Sequence, residues 1–204
     1  EMSTRNAKFY RIEQLKQIQI VDPDRHVKRI MEQMKKDLRL SVEPRHIECF
    51  DNSNIQGTNP VAACVVFKNG KPSKRDYRHF NIKTVDGPND FASMEEVVYR
   101  RYKRLLEENE PLPQLIIIDG GKGQLSSAVQ ILEGFNYNND LISLAKREEE
   151  VFKPNQSVPY ILARGSYSLR VVQLARDEAH RFAITFNRQL RAKGMYKGGL
   201  ESIA

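Results

Sequence analysis

LIIIDGGKGQ, residues 115–124, is the stretch that decides the fold. Its four consecutive apolar residues predict a short strand that is buried on both faces. The glycines that follow predict a tight turn, and LSSAVQILEGF (125–135) has the apolar spacing of the next helix. A buried strand that turns sharply into a helix is typical of α/β sheets.

Four further strands are predicted from short, β-rich or alternating runs. They are HIECF (46–50), VAACVVF (61–67), RDYRHFNIK (75–83) and LISLAK (141–146). The pair Asn69-Gly70 predicts a tight hairpin turn after the second of them. Residues 147–174 show no clear periodicity, and we expect them to be irregular, with short strands.

Helices are predicted on either side of these strands. In the first, Asp22-Pro23 marks the start, and an apolar stripe follows along one face. The stripe consists of Val27, Ile30, Met31, Met34 and Leu38. Ser93 and Glu96 form a capping box for a second helix, and a last helix runs from about Ala175 to Lys193.

The order of elements predicts an α/β fold, an RNase H-like mixed five-stranded sheet flanked by helices. We expect residues 1–44 to form an N-terminal helical extension and residues 45–204 to form the RNase H-like domain. A fold order alone does not establish a function.

The composition restricts the classes of protein and partner. With 33 Lys+Arg against 26 Asp+Glu, the net charge of +7 suits a polyanionic partner such as nucleic acid. No apolar run approaches the ~20 residues that span a bilayer, and the first residues do not resemble a secretory signal. Cys49 and Cys64 lack metal-binding spacing, so we expect two buried, reduced thiols in a cytoplasmic protein.

Two carboxylates follow predicted strands directly. Asp51 ends the first strand, and Asp119 ends the buried strand of the opening stretch. If these strands are parallel neighbours, their ends lie ~4.8 Å apart. Such a pair suits a hard divalent ion, Mg²⁺ or Mn²⁺. An Asp after a strand is also a common turn former or helix cap, so the spacing leaves both interpretations open.

Two neighbouring features add to this site. The turn Gly120-Gly121-Lys122-Gly123 offers backbone N–H groups and a positive charge to a phosphate, although it lacks the spacing of a Walker A loop. It is equally consistent with a plain strand-to-helix turn. His180 shares a helix face with Asp177 and Arg176, but by itself a surface histidine is weak evidence for a ligand.

Several long motifs, in order, resemble the UvrC family, the nuclease subunits of the bacterial nucleotide-excision-repair excinuclease. They are IECFDNSNIQGT (47–58), NDFASMEEVVYRRY (89–102), LIIIDGGKGQLSSA (115–128), LAKREEEVF (144–152) and RDEAHRFAITF (176–186). The resemblance is to the C-terminal endonuclease half of the family and covers roughly residues 27–204.

The resemblance implies an RNase H-like endonuclease domain that makes the incision 5′ to a lesion in double-stranded DNA, together with UvrB. It implies a catalytic and metal-binding triad of Asp51, Asp119 and His180 that uses Mg²⁺ or Mn²⁺. Basic residues near these motifs are candidates for binding DNA phosphates. They are Lys122, Arg100, Arg101, Arg176 and Arg181.

Two alternatives stay open at this point. The chain could be a DNA- or UvrB-docking module without turnover, or another RNase H-like nuclease of the transposase or resolvase type. The latter requires a third carboxylate on the last helix, where Glu178 is a candidate. Glu95, Glu96 and Glu149 are further candidates for an additional acidic ligand.

The sequence shows no match to several other domains and motifs of the UvrC family. The GIY-YIG nuclease domain, the module that docks UvrB and the helix-hairpin-helix motifs are missing, so we expect an excised domain with weak lesion-dependent activity. We also expect a histidine in many relatives where Asn187 stands here.

Overall fold

A mixed sheet of eight strands forms the centre of the computed structural model, which describes residues 23–53, 61–83, 89–145 and 150–201. The first four strands are β1 (His46–Ser53), β2 (Val61–Lys68), β3 (Lys71–Pro72) and β4 (Arg78–Asn81). The others are β5 (Leu115–Asp119), β6 (Asp140–Ala145), β7 (Glu150–Phe152) and β8 (Tyr160–Ile161).

The strand order is β3-β2-β1-β5-β6-β7-β8, and β4 pairs with β2. The central strands β1, β5 and β6 are parallel, with Phe50 opposite Ile118, and the remaining pairs are antiparallel. The predicted mixed sheet is therefore confirmed. Three strands of two or three residues, β3, β7 and β8, extend it beyond the five predicted.

Among the described residues, four helices cover the two faces of the sheet. They are α1 (Pro23–Asp37), α2 (Asp90–Glu107), α3 (Lys122–Gly134) and α4 (Tyr167–Glu201). Successive residues of a strand point to opposite faces, so Cys49 belongs to the core under α1 and α4, and Phe50 to the core under α2 and α3. Strand β5 is covered on both sides, as its continuous apolar sequence predicts.

Helix α1 contributes directly to the core. Met31, Met34 and Leu38 of the predicted stripe are fully buried, and Val27 and Ile30 pack against them. The expected start at Pro23 is confirmed, while Asp22 lies outside the described residues. The division of the chain after residue 44 stays a prediction.

The predicted start of α2 is wrong. The helix begins at Asp90, and Asn89 caps it, with Oδ1 accepting from the N–H of Ala92 at 3.1 Å. Ser93 is buried, and the Glu96 carboxylate accepts instead from the N–H of Lys83 at 3.0 Å. The sequence pattern of a capping box is present, but tertiary contacts use its residues differently.

Two other element boundaries differ from the prediction. The expected strand 75–83 is divided into a 3-10 turn (Lys74–Asp76) and β4. Helix α4 begins at Tyr167, well before Ala175, because Ser166 Oγ accepts from the N–H of Leu169 at 3.1 Å and caps the extra turns.

The structure also bears on two expectations from composition. No helix among the described residues is long and apolar enough to span a membrane. Cys49 and Cys64 are buried free thiols, as predicted.

Candidate active site

Asp51 and Asp119 lie side by side at the carboxyl edge of the parallel strands. Because Phe50 is opposite Ile118, the next residue on each strand is an aspartate. Their side chains are only 1% and 4% exposed. The strand pairing that the sequence analysis assumed is thus present in the structure.

His180 closes the site from helix α4. Its Nδ1 lies 2.9 Å from Oδ2 of Asp51, and one ligand atom each from His180, Asp51 and Asp119 lie within 4.8 Å of one another. The histidine side chain is 51% exposed, whereas the carboxylates are buried. Solvent and a substrate therefore reach the cluster from the histidine side.

The donor set fits a divalent cation. Two carboxylates and one imidazole supply two hard oxygen donors and a nitrogen, a set that suits a divalent ion. Two buried carboxylates this close repel each other, which favours a cation between them.

The Cys49 thiol lies beneath the cluster but is not a ligand. Burial raises its pKa well above the usual range, and the charges of Asp119 and Asp51 raise it further, against a small lowering by Arg176. A thiol of this kind stays protonated and inert.

The glycine-rich turn is explained mostly by packing inside the chain. A Cβ at Gly120 would lie 1.8 Å from Oε1 of Gln124, and this same oxygen accepts from the N–H of Gly121 at 2.9 Å. The side chain of Gln124 therefore needs a neighbour without a Cβ and supplies a cap to α3. A phosphate contact at this turn stays a prediction.

Three of the predicted phosphate-binding residues are close in sequence to Asp119 or His180. Lys122 is exposed at the start of α3, where its ammonium group donates to the carbonyl of Ser157. Arg176 and Arg181 are on α4 near His180, and each forms an ion pair, with Asp177 and Glu178 respectively. In each pair one of the two side chains is exposed, so both are surface ion pairs.

The structure argues against Arg101 as a phosphate contact. Its guanidinium is buried and binds Glu48 of β1, which is 0% exposed, at 2.5 Å. Arg100 is more accessible but pairs with Glu96 and with the carbonyl of Asn81, both at 2.8 Å. The two consecutive arginines, Arg100 and Arg101, are therefore one surface residue and one buried residue, and they do not form a continuous basic face.

None of the candidate extra acids among the described residues belongs to the metal-ligating group. That group contains Asp51, Asp119 and His180. Glu178 accepts from the Tyr77 hydroxyl at 3.2 Å and from Arg181, and Glu96 is engaged by Arg100. Glu149 lies outside the described residues. The described part of α4 therefore brings a histidine, not a carboxylate, to the two aspartates.

Sequence reasoning missed two residues at the rim of the site. Asn52, directly after Asp51, donates from Nδ2 to the carbonyl of Asp90 at 3.0 Å and ties the start of α2 to β1. Phe91 follows in the first turn of α2 and is 53% exposed. The only signal was their position within recognised motifs.

The comparison with known protein families gives a direct result. The family model described as UvrC RNAse H endonuclease domain matches residues 35–184. The chain belongs to this family. The UvrC assignment made from the motifs is therefore confirmed, and with it an RNase H-like endonuclease domain.

Close relatives carry the same name. The chain is 71% identical to the UvrABC system protein C of Flavobacterium psychrophilum and 69% identical to that of Flavobacterium johnsoniae, in each case over all of this chain and 34% of the relative. It thus spans about a third of the length of these UvrC proteins.

A solved structure also resembles the fold. Endonuclease V of Ciona intestinalis, crystallised with a 24mer DNA containing an inosine followed by a ribo-adenosine, aligns at 13% identity with a TM-score of 0.46. The alignment covers 84% of this chain and 99% of that one.

Proposed function

We propose that this UvrC domain is a divalent-metal-dependent DNA endonuclease that makes the 5′ incision in nucleotide excision repair. Its substrate would be damaged double-stranded DNA presented together with UvrB. The observation that carries the proposal is the convergence of Asp51, Asp119 and His180 within 4.8 Å at the carboxyl edge of the parallel strands. Ligands of open α/β sheets bind at this edge.

Asp51 and Asp119 would hold the metal ion. Mg²⁺ or Mn²⁺ would supply a bound water of lowered pKa and offset negative charge on the phosphoryl group. The aspartates are suited to this role because neighbouring strands fix their positions, so a bound ion requires little rearrangement.

His180 would act at the open side of the cluster. Its Nδ1 is oriented by Asp51 at 2.9 Å, and half of its side chain faces solvent. In this position, the imidazole is able to complete the coordination or to exchange a proton with the reacting phosphate and water. Both roles need the same hydrogen bond to Asp51, which holds the ring in one orientation.

Lys122, Arg176 and Arg181 would bind the phosphates on either side of the scissile bond, with a smaller contribution from Arg100. They lie on α3, α4 and α2. Contacts of this kind position the DNA without reading its sequence. Replacing any one of them should weaken binding equally for different sequences and flatten the salt dependence.

The experiment is Mn²⁺-dependent incision of a pre-nicked, lesion-containing duplex loaded with UvrB, comparing the wild type with Asp51→Asn. The substitution keeps the shape of the side chain but removes its charge, so incision should fall at least about 100-fold. Asp140→Asn is the matched control. Asp140 begins the parallel strand β6, at the opposite edge of the sheet, and binds Ser41 and Lys153.

The control should lose some stability and keep its incision rate. If Asp51→Asn incises as fast as the wild type, the assignment of the active site is wrong. Undiminished DNA binding with unchanged cleavage after Asp119→Asn would point instead to a docking module without its own turnover.

A further inference from the structure

Phe91 is a large apolar side chain at the rim of the candidate active site. It lies in the first turn of α2 and is 53% exposed. A single exposed apolar residue is common on proteins and requires no explanation by itself. The position and the support of this ring distinguish it from the other exposed apolar side chains.

The ring is held against the turn that follows Asp119. A Cβ added at Gly123 would lie 2.3 Å from Cε1 and 2.8 Å from Cζ of Phe91, so one side of the ring rests on a residue that has no side chain. Gly123 is in the first turn of α3, four residues after Asp119. Phe91 is therefore separated from one metal-ligand strand by a single tight turn.

The helix that carries the ring is tied to the other metal-ligand strand. Asn52 follows Asp51 and donates to the carbonyl of Asp90 at 3.0 Å, and Asn89 caps the same turn of α2. The backbone of Phe91 is thus fixed between the chain segments that leave Asp51 and Asp119. A rigid support of this kind is what an aromatic contact needs to act without losing conformational freedom.

The other exposed aromatic side chain of α2 differs in its surroundings. Tyr99 is 45% exposed, but it lies two turns further along the helix, where it packs on Phe135 with ring centroids 5.5 Å apart. Val158 and Ile161, the most exposed apolar residues described, are at and beside the edge strand β8. Within the described part of the chain, Phe91 alone combines such exposure with a position between the ligand-bearing segments.

We infer that Phe91 is a stacking surface for a nucleobase next to the scissile phosphate, an inference that rests on the proposed function. A phosphate bound at the metal cluster brings its own nucleotide to this rim. Every base has a π-face, so an aromatic ring stacks on it with little sequence preference. The base must first leave its own stack, which costs least at a nick, a gap or a lesion. Phe91 therefore favours DNA that is already unstacked beside the cut.

The chain contains no tryptophan, which allows a direct test. Phe91→Trp introduces a single indole at the proposed contact, and Tyr99→Trp introduces one at an exposed position on the same helix as a matched control. Each variant is titrated in Ca²⁺ with a fluorescein-labelled duplex, either intact or with a one-nucleotide gap. Tryptophan emission reports stacking, and fluorescein anisotropy independently reports binding.

We expect gapped DNA to quench the indole emission of Phe91→Trp strongly and intact duplex to quench it less. The emission of Tyr99→Trp should change little at equal binding. Phe91→Ala and Phe91→Leu should bind gapped DNA roughly 5- to 150-fold more weakly than wild type, with Phe91→Tyr close to wild type. Leucine is the informative variant because it is apolar but has no aromatic face.

Three results would overturn the stacking role of Phe91. DNA binding by Phe91→Trp without preferential quenching of its indole, or full affinity of Phe91→Leu, would show that the ring only packs against Gly123. If wild-type protein incises DNA in these cases, the proposed function survives and the stacking role alone fails. If the wild type neither binds nor cuts DNA, both fail together.

Discussion

Nδ1 of His180 lies 2.9 Å from Oδ2 of Asp51, although the two residues are 129 positions apart in the sequence. The bond joins the last helix to the first strand at the carboxyl edge of the sheet. It leaves the rest of the imidazole open to solvent and to any ligand of the two aspartates.

Replacing His180 with alanine should lower the incision rate by about 10²–10⁴-fold, the usual contribution of a general acid–base group. Mn²⁺ affinity, measured by isothermal titration calorimetry, distinguishes its two roles. A loss of about 10- to 100-fold in affinity would identify a group that binds or orients the metal. Incision equal to wild type would exclude His180 from the reaction.

The buried pair of Glu48 and Arg101 should make a large contribution to stability. Glu48 is 0% exposed and binds the guanidinium at 2.5 Å. Glu48→Gln leaves a buried positive charge, so we expect a loss of about 3–5 kcal/mol in the free energy of unfolding. Urea unfolding measures it. The double variant Glu48→Gln, Arg101→Met should recover part of the loss, and a single variant as stable as wild type would contradict the argument.

The part of the site that strands carry, the two aspartates, could be predicted from the sequence. Periodicity placed Asp51 and Asp119 at the ends of two apolar runs, and the parallel pairing of β1 with β5 then made them neighbours. His180 could not be placed in this way, because nothing in local sequence indicates where a distant helix crosses a sheet. Its assignment depended on the resemblance to a family.

The errors have the same origin. Arg101 was a candidate for binding DNA phosphates, but its guanidinium is buried against Glu48, which is 53 residues away in the sequence. Ser93 and Glu96 matched a capping pattern, yet Asn89 caps the helix, since packing buries Ser93 and Lys83 takes the carboxylate. Local sequence patterns predict where helices and strands lie. Tertiary contacts decide which residue caps a helix and which charged side chain is buried.

His79 should make stability depend on pH. Its ring is stacked between Phe182 and Phe186 of α4, with centroids 3.7 and 4.0 Å apart, and burial lowers its pKa, partly offset by a hydrogen bond to the backbone of Phe182. As the pH falls below 6.5, His79 is therefore protonated in the unfolded chain before it is protonated in the folded protein. The contribution of His79 is present above that value and is lost as the pH falls toward the lowered pKa.

Urea midpoints of wild type and His79→Phe at pH 7.5 and pH 5.5 (roughly one unit either side of the reference imidazole value) test this. The variant keeps an aromatic ring between the two phenylalanines but does not titrate. Its midpoint should fall less than that of wild type on acidification. An equal fall in both proteins would assign the pH dependence to other groups.

Metal binding should stabilise the fold independently of any reaction. An ion that binds only the folded state at 100 times its dissociation constant adds about 2.7 kcal/mol, which corresponds to a rise of roughly 5–10 °C in Tm for a chain of this size. Thermal unfolding with and without Mn²⁺ measures the rise. Asp119→Asn should abolish most of it, because it removes one of the two charges that attract the ion, while Asp140→Asn should retain it. An equal rise in Tm for Asp119→Asn would place the metal elsewhere on the chain.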